Sequence, residues 1–145
     1  MNDGKAFFDT NVLLYMYSSA DPIKQARAQQ IFAECVEAGR IVLSTQVVQE
    51  FYAAGSRKLA IPREVLGVLT RAMLELPLVE IGSSHIVRAL LGEERFHISF
   101  WDALILAAAE SAGATVLFTE DLNDGQQYGT VRVENPFRQR SGERS

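Results

Sequence analysis

Five short apolar runs recur along the chain, at Lys5–Phe8, Ile41–Ser44, Leu78–Ile81, Thr115–Phe118 and Val131–Val133, with helix-patterned segments between them. This alternation constrains the fold more than any other feature of the sequence. Antiparallel strands can be joined by a tight turn, whereas parallel strands need a long crossover, usually a helix. The pattern therefore specifies an α/β chain: a central parallel sheet of about five strands covered on both faces, as a three-layer α/β/α sandwich. The 145 residues suffice for one such domain, which buries roughly 70% of its unfolded surface. Its expected extent is residues 1–135, and the last ten residues, PFRQRSGERS, read as a polar, flexible tail.

Local signals divide the helical segments. Asp21-Pro22 gives a cap followed by proline at the first helical position, and Gly39 gives a stop. Ile23, Ala26, Ala33 and Val36 form the stripe expected to face the core. Between Gln46 and Lys58, Val47, Val48, Phe51 and Tyr52 share one face. Pro62 opens a helix with Val65, Leu66, Leu69 and Met73 as its apolar positions, and Ser83 or Ser84 caps another carrying Ile86, Val87, Leu90 and Leu91. Ser99 precedes a long run, FWDALILAAAESAG, ending at Gly113. No apolar stretch reaches the ~20 residues of a membrane span, and the polar N-terminus enters a strand without a secretory pattern. Cys35 is the single cysteine, which excludes an internal disulfide and a cysteine-rich zinc site. A reducing cytoplasm is the expected compartment.

In open sheets of this kind, ligands bind at the carboxyl ends of the strands. The polar residues there are Asp9 to Asn11, Ser44-Thr45, and Thr119 to Asp121. Asp9 is a good helix cap, but a cap needs one such residue and three stand together. Asp102 completes an S-x-x-D pattern with Ser99 and also suits the first turn of its helix, yet it leads into a mostly apolar segment. Glu50 lies roughly 130° from the centre of its helix's apolar face, a direction ordinarily filled by a solvated side chain. In LFTEDLNDGQ, Asp121 is the preferred acid because Leu122 anchors its backbone, with Glu120 and Asp124 as accessory candidates. Carboxylates converging in one cleft raise one another's pKa unless a cation joins them. Mg²⁺ is held by one or two carboxylates together with water and substrate phosphates, the arrangement used in metal-assisted phosphodiester hydrolysis.

The blocks FFDTNVLLY, LSTQVVQEF, ISFWDALILAAAESAG and LFTEDLNDG resemble, in order and spacing, those of the PIN-domain nucleases. The likeness runs from about Ala6 to Val133 and is closest to the VapC-type toxins of prokaryotic toxin–antitoxin pairs. It implies an α/β/α sandwich and a cytoplasmic endoribonuclease that uses Mg²⁺ or Mn²⁺ and leaves 5′-phosphate and 3′-hydroxyl ends. Position by position, Asp9, Glu50, Asp102 and Asp121 match the catalytic acids, with Asp9, Asp102 and Asp121 as metal ligands. Asn11 and the hydroxyl of Ser44 or Thr119 match supporting positions. The resemblance also implies an antitoxin partner and a homodimer; Tyr15, Tyr17, Ile31 and Phe32 could offer either an apolar surface, with packing inside the domain as the favoured alternative.

Net charge is −4, from 14 basic and 18 acidic side chains, which alone argues against a general basic surface for nucleic acid. Setting four clustered acids aside leaves the two signs equal, so the distribution of charge decides. Arg57, Lys58 and Arg63, together with Arg138, Arg140 and Arg144, are the candidate phosphate contacts. His85 and His97 read as structural. Three other readings stand beside the toxin: a partner-binding module without turnover, a housekeeping RNA-processing nuclease, and an aspartyl-nucleophile phosphatase. The phosphatases favour D-x-D after the first strand, where this chain has Asn11, and Lys58 is its last lysine.

Overall fold

A computed structural model describes residues 4–138. The elements run β1 (Lys5–Phe8), α1 (Thr10–Tyr15), α2 (Pro22–Glu37), β2 (Ile41–Ser44), α3 (Thr45–Lys58), α4 (Arg63–Leu74), β3 (Leu78–Val79), α5 (Ser83–Phe96), α6 (Phe100–Ser111), β4 (Ala114–Phe118), β5 (Gln127–Tyr128) and β6 (Val131–Glu134). The sheet has the order β3-β2-β1-β4-β6-β5. Every pairing is parallel except that of β5 with β6. The sheet thus has one strand more than the five expected. The extra strand is two residues long, too short to leave a periodic signal.

Strand order reverses at β1. From β1 the chain builds outward through β2 to β3, then returns to place β4 on the other side of β1. Right-handed crossovers then put the helices before and after β3 on opposite faces, producing the three layers. Phe7, Phe8, Leu43, Val116, Leu117 and Val133 fill the sheet's share of the core. Helix α6 is buried at seven successive positions, Ala103–Ala109, as expected of a helix covered all round. Among the described residues, no helix is long and apolar enough to cross a membrane.

Three expectations about packing change. In α2 the buried positions are Ala28, Ile31 and Cys35, while Ile23 is 84% exposed and Ala26, Ala33 and Val36 also face outward. Both sets have helical spacing; the one containing Ile31 wins, and Phe32 beside it stacks edge-on against Phe8 at 5.6 Å. In α5, Ile86, Val87, Leu90 and Leu91 are exposed and only Ala89 is fully buried. This helix packs on α6 through small residues: a Cβ on Gly92 would stand 3.4 Å from the Cβ of Ala103. Its cap is Gly82 rather than either serine. Finally, order continues past the expected boundary at residue 135. Pro136 is buried, its carbonyl accepts from Arg27 Nε at 3.0 Å, and the Phe137 ring lies 4.8 Å from that of Tyr15.

Candidate active site

Asp9 leaves the end of β1, the central strand, at the point where strand order reverses. It caps α1, its Oδ1 accepting from the Thr10 amide at 2.7 Å, so the local reading of this residue holds. Its second oxygen faces β4: Oδ2 accepts from the Thr119 hydroxyl at 2.8 Å. The residue is only 4% exposed, and burial pushes its carboxyl up to about 7. The Thr119 and Thr10 hydrogen bonds oppose that rise, whereas the nearby charges of Asp121 and Asp102 add to it.

Thr119 organises the loop after β4. Besides donating to Asp9, its hydroxyl accepts from the Asp121 amide at 3.1 Å and from Asn11 Nδ2 at 3.3 Å. Asp121 is thereby turned toward β1. Asp102 enters from α6, whose first turn is capped by Ser99 Oγ accepting from the Asp102 amide. Partial burial raises the Asp102 carboxyl, and Asp121 and Glu50 raise it further. One carboxylate oxygen from each of Asp9, Asp102 and Asp121 lies within 4.8 Å of the other two.

Glu50 stands on the same cleft, which has a volume of about 380 Å³ and is also walled by Arg57, Lys58 and Trp101. Its Oε1 accepts from the Thr10 hydroxyl at 2.8 Å. The helical-wheel reading had the direction right, because Glu50 does point away from the buried side of α3. That direction opens on a cleft between α3 and α6, a relation that no single helix reveals.

The remaining candidates go elsewhere. Glu120 pairs with Lys24 at 2.6 Å and accepts from the Tyr15 hydroxyl. Asp124 accepts from the Asn135 amide and lies 3.7 Å from Arg138. Ser44 is fully buried, and its hydroxyl caps α3 by accepting from the Val47 amide. Arg63 lines a separate groove with Tyr52 and Arg71, while Arg140 and Arg144 lie outside the described residues. Ile31 is buried, and Tyr15, Tyr17 and Phe32 pack against the core, so they offer little partner surface. His85 Nδ1 accepts from the Gly82 amide, and His97 ends α5 in the left-handed region, both structural positions.

Two contributors escaped the sequence reading. Thr10 ties the β1 corner to Glu50. Gln46, one helical turn before Glu50, is buried and extends Nε2 toward Glu50 Oε2 and the Trp101 carbonyl, both at 3.5 Å. Its spacing of four from Glu50 was the available signal.

Residues 6–124 match the PIN domain. The chain belongs to the PIN domain family. This PIN domain shares its fold with three solved structures of low sequence identity. The sarcin–ricin-loop-cleaving toxin VapC20 of Mycobacterium tuberculosis has a TM-score of 0.66 at 16% identity, over 81% of this chain and 90% of that one. A chain of a toxin–antitoxin complex from Klebsiella pneumoniae reaches 0.68 at 22% identity, over 92% and 98% respectively. A chain of the DNA-bound VapBC complex from Salmonella typhimurium gives 0.65 at 17%, again over 92% and 98%. No curated protein matches at a significant level of sequence similarity.

Proposed function

We propose that this PIN domain is a metal-dependent endoribonuclease and the toxin of a toxin–antitoxin pair. The observation that carries the reading is the meeting of Asp9, Asp102 and Asp121 at the strand reversal, with Glu50 beside them and Arg57 and Lys58 on the same cleft. Three carboxylates held this close favour a cation, which would also offset the burial that chiefly raises the Asp9 carboxyl and the smaller push from Asp121 and Asp102. Asn11 Oδ1 is a further buried oxygen beside them, without a hydrogen-bond partner among the described residues. An all-oxygen set of this kind suits a hard ion such as Mg²⁺ or Mn²⁺. Asp9, Asp102 and Asp121 would hold such a divalent cation, which when bound would lower the pKa of water and offset charge developing on the phosphate.

The chain's own groups do the rest. Glu50, oriented by the Thr10 hydroxyl, accepts the proton of the attacking water at a carboxylate oxygen. Arg57 and Lys58 bind the RNA phosphates and counter the negative field of the acids. The likeness to chains of toxin–antitoxin complexes supports a protein partner, and a partner that covered this cleft would silence it. We assign contact with a second copy of the chain to the outer face of α5, where Val87, Leu90 and Leu91 are each more than half exposed.

The test is cleavage of single-stranded and structured RNA with Mg²⁺ or Mn²⁺, comparing wild type with Asp102→Asn. Cleavage that EDTA stops and the substitution abolishes is expected. Activity that survives EDTA would retire the mechanism, and growth arrest on expression, lost in the variant, would establish the toxin.

A further inference from the structure

A second hollow opens beside the acid cleft and shares Asn11, Leu14 and Lys58 with it. Its volume is about 200 Å³, and Tyr15, Ser18, Leu59 and Glu120 complete its lining. Lys58 therefore stands on the boundary between the site of chemistry and a largely apolar recess. A phosphodiester seated in the cleft with its charge against Lys58 would bring an adjoining nucleotide to the mouth of that recess.

The carboxylate lining the recess is held firmly. Glu120 Oε1 accepts from the Tyr15 hydroxyl at 2.8 Å, and Oε2 accepts from Lys24 at 2.6 Å. Lys24 also lies 4.8 Å from the centre of the Tyr15 ring and 5.3 Å from that of Phe137. Pinning the loop after β4 to α1 and α2 accounts for both of these contacts. The same carboxylate also lines the recess that adjoins the cleft. An ionised carboxylate can accept about four hydrogen bonds, so both oxygens of Glu120 retain capacity toward a ligand.

Resting on the ribonuclease reading, we propose that this recess receives the nucleobase next to the scissile phosphate, with Glu120 selecting guanine. Single-stranded RNA is read through unstacked bases placed against aromatic side chains and hydrogen-bonded along their Watson–Crick edges. Guanine alone presents two adjacent N–H donors on that edge, matching the two acceptor oxygens of Glu120. Tyr15, Leu14 and Leu59 supply the apolar walls, and Ser18 also stands in the lining.

The test uses RNAs that differ only in the nucleotides flanking the cleaved bond, including versions with an abasic nucleotide at each flank. Wild type should prefer guanine at one flank by on the order of tenfold to a hundredfold in kcat/KM. Glu120→Gln should collapse that preference. Ser18→Phe, which places a ring in the lining of the recess, should slow guanine-flanked RNA at least about tenfold but abasic RNA far less, because the base contact is already gone. Additive effects of base removal and Ser18→Phe, or an unchanged preference in both variants, would overturn the proposal. So would variants that cleave like wild type but escape inhibition by a protein partner, since the recess would then hold a partner's side chain. A wild-type protein that cleaves none of the RNAs overturns the ribonuclease reading itself, and the base pocket with it.

Discussion

Replacing Asp9 with asparagine should change stability in opposite directions below and above the window over which Asp9 titrates. In the metal-free protein, burial, reinforced by Asp121 and Asp102, lifts the Asp9 carboxyl from 3.8 to about 7. Between those values the native state keeps a proton that the unfolded chain has released, so stability falls as pH rises through the window. Above it, the folded protein carries a buried charge whose cost is roughly 4 kcal/mol. Asp9→Asn abolishes that cost but takes a carboxylate acceptor from the Thr119 hydroxyl, a loss of about 1 kcal/mol. In EDTA, urea denaturation should therefore find the variant roughly 3 kcal/mol more stable at about pH 8 and roughly 1 kcal/mol less stable at about pH 3, with the crossover at about pH 4 to 5. Adding Mn²⁺ should favour the wild type, by about 2.7 kcal/mol at a hundred times its Kd, and favour the variant much less. Stability profiles that stay parallel across this range, or equal stabilisation of both proteins by Mn²⁺, would refute the argument that Asp9 is a desolvated member of a cation site.

Thr10→Val removes the hydroxyl that orients Glu50 while keeping the shape of a buried side chain. It should lower kcat by about tenfold with little change in KM, read from saturation curves on one RNA. Arg57→Gln and Lys58→Gln should raise KM, and each should reduce the slope of log affinity against log salt by about one. Leu90→Glu with Leu91→Glu should yield a monomer in sedimentation velocity without loss of helical circular dichroism, since neither side chain is buried within the chain. Phe137→Ala removes a ring from Tyr15 and should lower stability by about 1 to 2 kcal/mol in thermal unfolding, less than a fully buried phenylalanine would cost.

The sheet was legible because β1, β2 and β4 are continuous apolar runs, the signature of strands covered on both faces. The acids were legible as candidates because Asp9 directly follows such a run and Asp121 stands three residues beyond the end of one. The phase of α2 was not, since its alanines and glutamines leave two stripes nearly equal, and only Phe8 reaching Phe32 breaks the tie. Nor was the exposure of α5 legible. Its best apolar face is the outer one, because α6 accepts only the small side, at Ala89 and Gly92. The preference for Asp121 over Glu120 rested on Leu122, and the reason Glu120 turns away, its pairing with Lys24 of α2, is one that no local pattern connects to the loop after β4. Contacts between distant elements decide such questions, and periodicity within one element cannot supply them.

Placing β4 next to β1 has a consequence for the moment at which activity begins. The two strands are distant in sequence, and the Thr119–Asp9 hydrogen bond spans 110 residues. A chain emerging from the ribosome therefore presents Asp9 long before the side chain that shapes its surroundings exists. Until β4 docks, Asp9 has neither its Thr119 donor nor its Asp121 neighbour, and the early helices surround an incomplete site. Pairings of such long range form late and slowly. On the proposed function, a chain built this way gains its complete set of acids only once β4 has docked.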